Sequence, residues 1–98
     1  MIYLQKAWSD PIENPSLADI RTAIAEMKQM DNEHGAFWVV TEDEEMILEV
    51  QKDLRVTLII CGEICREAKC ASPKQAEELF SRLIAGEYET VKDEFECL

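Results

Sequence analysis

The chain has a single histidine, three glycines that never cluster, and about half as many basic residues as acidic ones. Each shortage excludes something. Histidine is the commonest general base and metal ligand, so one copy leaves little material for either role. Gly35, Gly62 and Gly86 stand alone, each at a turn or cap, so no phosphate-cradling glycine loop is present. The longest apolar run, residues 56–61, is far too short to span a bilayer. Residues 1–6 lack a basic stretch followed by an apolar run, the pattern of a secretion signal. The expected location is therefore cytoplasmic, and the four cysteines are expected to be reduced thiols.

The deficit of cations is the most informative shortage. Ten Lys and Arg against twenty-one Asp and Glu give a net charge of −11. Such a chain repels nucleic acid and anionic lipid, and it favours a basic protein as partner. With 98 residues, of which 47% are hydrophobic, the expectation is one domain, 1–98, with a real core.

The apolar residues are periodic. Residues 2–8 alternate as a first strand, with Ile2 and Leu4 on one face, and Ser9-Asp10-Pro11 and Asn14-Pro15 then mark a loop. Ser16 is a good N-cap with Asp19 three residues on, and Leu17, Ile20, Ala23, Ile24 and Met27 repeat at helical spacing. Arg21, Glu26 and Lys28 fall off that stripe, toward water. Residues 36–40 read as a strand, 41–45 as an acidic turn, and 46–50 as its hairpin partner with Met46, Leu48 and Val50 on one face. A turn at 51–53 leads to a strand at 55–61. Gly62-Glu63 suggests a tight turn before a last strand over 64–70, whose register the pattern leaves open. A second helix follows Ser72 and Pro73, buries Ala76, Leu79, Phe80, Leu83 and Ile84, and ends at Gly86. The tail, 87–98, adds a short strand or one helical turn. The order β-α-β-β-β-β-α predicts an α+β fold, an antiparallel sheet of about five strands with two helices on one face.

Constellations that carry chemistry are hard to find. Cys61, Cys65 and Cys70 match neither a common zinc spacing nor a redox C-x-x-C, so they read as small buried hydrophobes. Cys61 with Cys65 or Cys70 could oxidise across the last hairpin if the register brings them together. His34 lies in a turn without a nucleophile and orienting acid around it. Among many carboxylates, Glu49 alone sits inside an apolar strand, on what should be the exposed sheet face. No catalytic residue, metal site or cofactor is expected.

Two features suggest binding. If helices cover one sheet face, Tyr3, Trp38, Ile47 and Ile59 belong to the other, as an apolar patch ringed by acids. Glu42, Asp43, Glu44 and Glu45 place four successive negative charges in one turn, suited to steering a basic partner. The partner-binding candidates are these four acids with Trp38 and Tyr3.

The order and style of the elements carry a resemblance. Asn14-Pro15-Ser16-Leu17-Ala18-Asp19-Ile20-Arg21-Thr22-Ala23-Ile24-Ala25-Glu26-Met27 opens a helix after a short first strand. Gly35-Ala36-Phe37-Trp38-Val39, Leu48-Glu49-Val50 and a late helix through Glu78-Leu79-Phe80-Ser81-Arg82-Leu83-Ile84-Ala85-Gly86-Glu87 follow. Over most of its length the chain resembles the small immunity proteins of bacterial polymorphic-toxin and contact-dependent inhibition systems. The resemblance implies a cytoplasmic, non-enzymatic inhibitor of one cognate toxin domain, such as a nuclease or deaminase with a basic active-site rim. The alternative is a small intracellular adaptor or a protein that pairs with a second copy of itself.

Overall fold

The computed structural model describes residues 2–8, 10–31, 33–41, 45–96 and 98. Strand β1 (Tyr3–Lys6) is followed by β2 (Ile12–Glu13) and helix α1 (Leu17–Met27). A meander of β3 (Ala36–Val40), β4 (Met46–Gln51), β5 (Arg55–Ile60) and β6 (Glu63–Lys69) comes next, then α2 (Pro73–Ile84) and α3 (Tyr88–Phe95). The fold is α+β. Among the described residues the sheet has six strands in the order β2-β1-β3-β4-β5-β6, every pair antiparallel.

The helices start where their caps dictate. At α1 the Asp19 amide donates to Ser16 Oγ, and the Ser16 amide donates back to the Asp19 carboxylate at 2.8 Å, a complete capping box. At α2 Ser72 accepts from the Gln75 amide, and Pro73 occupies the first turn, where no amide is needed. Ile20, Ala23, Ile24 and Met27 from α1 meet Ala76, Leu79, Phe80 and Leu83 from α2 over the sheet residues Leu4, Phe37, Val39, Leu48, Val50, Val56 and Leu58. The rings of Phe37 and Phe80 lie 5.0 Å apart at their centroids, joining sheet to helix.

Two elements differ from the expectation. The Pro-punctuated loop contains β2, whose Ile12 and Glu13 pair with Leu4 and Tyr3. Asn14, at φ 49°, turns the chain so that its amide reaches the Ile2 carbonyl at 2.8 Å. The tail forms a full helix, α3, rather than a strand or one turn. Val91 and Phe95, four apart, bury its inner face, while Arg82 of α2 grips Glu87 and Glu94 from outside. Gly86, at φ +83°, lets the chain turn between α2 and α3.

The hairpin turns explain the rest of the register. Cys61 and Gly62 both have positive φ (52° and 82°), the requirement of a two-residue type I′ turn. The tip is therefore Cys61-Gly62, one residue earlier than the sequence suggests. In β6, Leu58 faces Arg66 while Ile59 faces Ile64, so Cys65 is the extra residue of a bulge. Cys61 is exposed at the tip, and Cys70 is buried at the opposite end of a six-residue strand, about 20 Å away. That separation rules out the Cys61–Cys70 pairing. Gly35 is packed tightly: a Cβ there would meet Lys52 Cβ at 2.8 Å and the Asp31 carbonyl at 2.9 Å.

Lys6 departs most from its residue type. It continues the inward face of β1 after Leu4 and is 7% exposed. Its ammonium donates to Glu26 Oε1 at 2.7 Å. Glu26, expected to face water, does so with 43% of its side chain exposed and is also the counter-ion of a buried cation; that ammonium holds its carboxyl below the usual range.

Candidate functional site: the uncovered sheet face

Strand periodicity sorts each strand into two faces, and cross-strand pairing aligns them into rows. The inward rows supply the core. On the outward face, one row runs from Tyr3 through Val40, Ile47 and Ile59 to Ile64, crossing five strands. Beyond Tyr3 the same row continues to Glu13 of β2. None of these five apolar residues belongs to the core cluster or packs against it. Val40 is nonetheless only 3% exposed, and Thr57 on the adjoining row 7%. Ile64, at the row's far end, is 63% exposed.

The next row reads Gln5, Trp38, Glu49, Thr57 and Glu67. It places Trp38 diagonal to Tyr3, within reach of large side chains on adjacent strands. Glu49 is half-buried, and the Gln51 side-chain amide approaches its carboxylate at 3.5 Å. A third row holds Ala36 and Gln51, then Arg55 opposite Lys69. The face thus runs from apolar through acidic to basic along the strands.

Of the residues singled out from sequence, Tyr3 and Trp38 share this face, as do Ile47 and Ile59. Glu45 is exposed, and its carbonyl accepts the Cys61 amide at 2.7 Å. Glu42, Asp43 and Glu44 lie outside the described residues. Thr41, whose hydroxyl accepts the Met46 amide, closes the described end of the β3–β4 hairpin. Sequence reasoning missed Val40, Ile64, Glu13 and Glu67. The alternation Ala36, Trp38, Val40 could have found the first, but the others depend on pairings that no local pattern reveals.

Other chemistry is local. The amide and ring of His34 both contact Asp31 Oδ1, at 2.8 and 2.9 Å, and this lowers the Asp31 pKa. Burial pushes the Cys70 thiol up to about 11, which makes it a poor nucleophile. Among the described residues, no group of three or more His, Cys, Asp or Glu is placed to hold a metal ion, and no helix is long and apolar enough to cross a membrane. The surface grooves beside Arg55 and Glu67, and beside Arg82 and Glu87, are open and lined largely by charge, unlike the apolar clefts that take small ligands. No known protein family, curated protein or solved structure matches this chain.

Proposed function

We propose that the protein is an immunity-type inhibitor that binds and neutralises a cognate bacterial toxin domain, without catalysing a reaction itself. The observation that carries this reading is a net charge of −11 on a domain with Tyr3 and Trp38 diagonal to each other on a sheet face that none of the described helices covers. A toxin that cleaves or deaminates nucleic acid needs a basic rim to hold phosphates. An acidic protein competes for that rim, and Glu42, Asp43, Glu44 and Glu45 would steer it into place. Aromatic and aliphatic anchors then supply the slow dissociation.

A second reading is favoured by β6, a seven-residue strand at the sheet edge with exposed Ile64 near its start. In that reading the protein is an adaptor or pairs with a second copy of itself.

The test begins with the neighbouring gene: a toxin domain encoded there is co-expressed with this chain. Survival of the host and co-purification of the two chains support inhibition; a toxin that stays active in the presence of excess protein refutes it. Neutralising the four acids of residues 42–45 should slow association about tenfold or more at low salt. An association rate independent of salt would refute steering.

A further inference from the structure

We infer that the uncovered sheet face is the docking surface itself. Its occupant is a basic protein segment that lays apolar side chains along the row from Tyr3 to Ile64 and sets cations against Glu13, Glu49 and Glu67. The inference rests on the reading of this chain as a binding protein, and it adds the location of the interface and the chemistry of what fills it.

The row is about 20 Å long, since five strands are spaced about 4.8 Å apart. That is the span of the apolar centre of an ordinary protein interface. The adjoining row carries two acids alongside Gln5, Trp38 and Thr57. Glu49 and Glu67 flank the Ile47, Ile59 and Ile64 end on the adjoining row, and Glu13 closes the other end beside Tyr3. The cations of the face, Arg55 and Lys69, stand one row further off. Arg55 is diagonal to both Glu49 and Glu67, so one cation is shared between two carboxylates; covering the row strips water from both, and an occupant that brings positive charge offsets that cost.

Two other occupants fit less well. A strand added to β6 would need an unbroken ladder, but the bulge at Cys65 interrupts it, and Glu63, Arg66, Glu67 and Lys69 crowd the edge with charge. A second copy, packed face to face about a two-fold axis along the strands, would set Glu49 and Glu67 against their own counterparts. Turning that axis along the apolar row leaves little else in contact, and each copy carries −11.

The experiment uses a phage-displayed library of random peptides about 15 residues long, selected on the intact protein and counter-screened on two variants. Ile59→Lys puts a charge within the row, between Ile47 and Ile64, and Glu49→Lys/Glu67→Lys reverses the flanking acids. Urea unfolding of both variants checks that they fold. The expected result is enrichment of peptides that combine Lys or Arg with large apolar residues and that bind each variant about tenfold or more weakly. Acidic consensus peptides, peptides that bind the variants as well as the parent, or no enrichment would overturn the inference. A dimer in solution that Ile59→Lys dissociates would also overturn it, because a second copy would then fill the face. The inhibitor reading fails separately: a toxin neutralised equally by the parent and by Ile59→Lys removes the face and keeps inhibition. Basic peptides on the face with no toxin neutralised would do the reverse.

Discussion

Replacing Lys6 should cost less than replacing its partner Glu26, although Lys6 is the more buried of the two. The Lys6 side chain is 8% exposed and that of Glu26 is 43% exposed. In Glu26→Ala the ammonium stays inside the fold without its carboxylate. Removing one partner of a fully buried pair typically costs about 3–5 kcal/mol. Water can reach the exposed half of this site, so about 1–3 kcal/mol is expected. In Lys6→Met the buried charge disappears, an apolar chain of similar length fills the space, and Glu26 is left partly hydrated. That change should be neutral within about 1 kcal/mol. The double variant should then resemble Lys6→Met, with the loss seen in Glu26→Ala largely cancelled. Urea unfolding of the four proteins at neutral pH measures the cycle. A Lys6→Met variant less stable than Glu26→Ala would refute the reasoning. The acid limb adds a signed check. The folded-state pKa of Glu26 is lowered, chiefly by its hydrogen bond from Lys6. Its contribution is therefore complete above the ordinary glutamate pKa and lost as pH falls through the lowered folded value, so the gap between wild type and Glu26→Ala should close in acid.

Three further outcomes are expected. Cys61 should react rapidly with a thiol reagent at mildly alkaline pH while Cys70 reacts only on unfolding. Because Cys70 is raised to about 11, the stability it contributes is full below the ordinary thiol pKa and lost as pH climbs toward that value; equal labelling rates for the two thiols would contradict its burial. Cys61→Asn should stabilise by about 0.5–1 kcal/mol, since asparagine suits positive φ in a type I′ turn, whereas Gly62→Ala should destabilise by about 1 kcal/mol despite open space around it; melting temperatures report both. Phe80→Ala removes a fully buried ring that touches Phe37 and should cost about 3–5 kcal/mol, seen as a lower urea midpoint.

Local patterns were legible wherever one element carried its own signal. Ser16 with Asp19, and Ser72 with Pro73, announce their helices because a cap is a short-range contact. The alternation of Met46, Leu48 and Val50 announces which face of β4 is buried, and the same rule places Tyr3, Trp38, Ile47 and Ile59 together on the other face. What was hidden depends on partners distant in sequence. Two residues form β2 only because β1 offers an edge, and the half-exposed Glu26 is tied down because Lys6, twenty residues earlier, lies beside it. The tail misled for another reason. Tyr88, Val91, Phe95 and Leu98 are spaced as a helix face, but so short a tail reads equally as a strand or one turn, and Arg82, which offsets part of its acidic charge, lies on another helix. Ile64 stayed out of the face because a bulge shifts β6 by one residue, and alternation cannot anticipate a bulge.

The strand order also bears on how the chain folds in time. β3, β4, β5 and β6 each pair with the strand next to them in sequence, so these hairpins close over short loops and can form early. β1 must wait: its Tyr3 meets Val40 across the whole of α1. Weakening the β4–β5 contacts, as by Leu58→Ala, should therefore slow refolding. An equal loss of stability at Leu4 should instead appear mainly as faster unfolding. The meander is then the part of the protein that commits the chain to its fold, and the first strand made is the last one to lock.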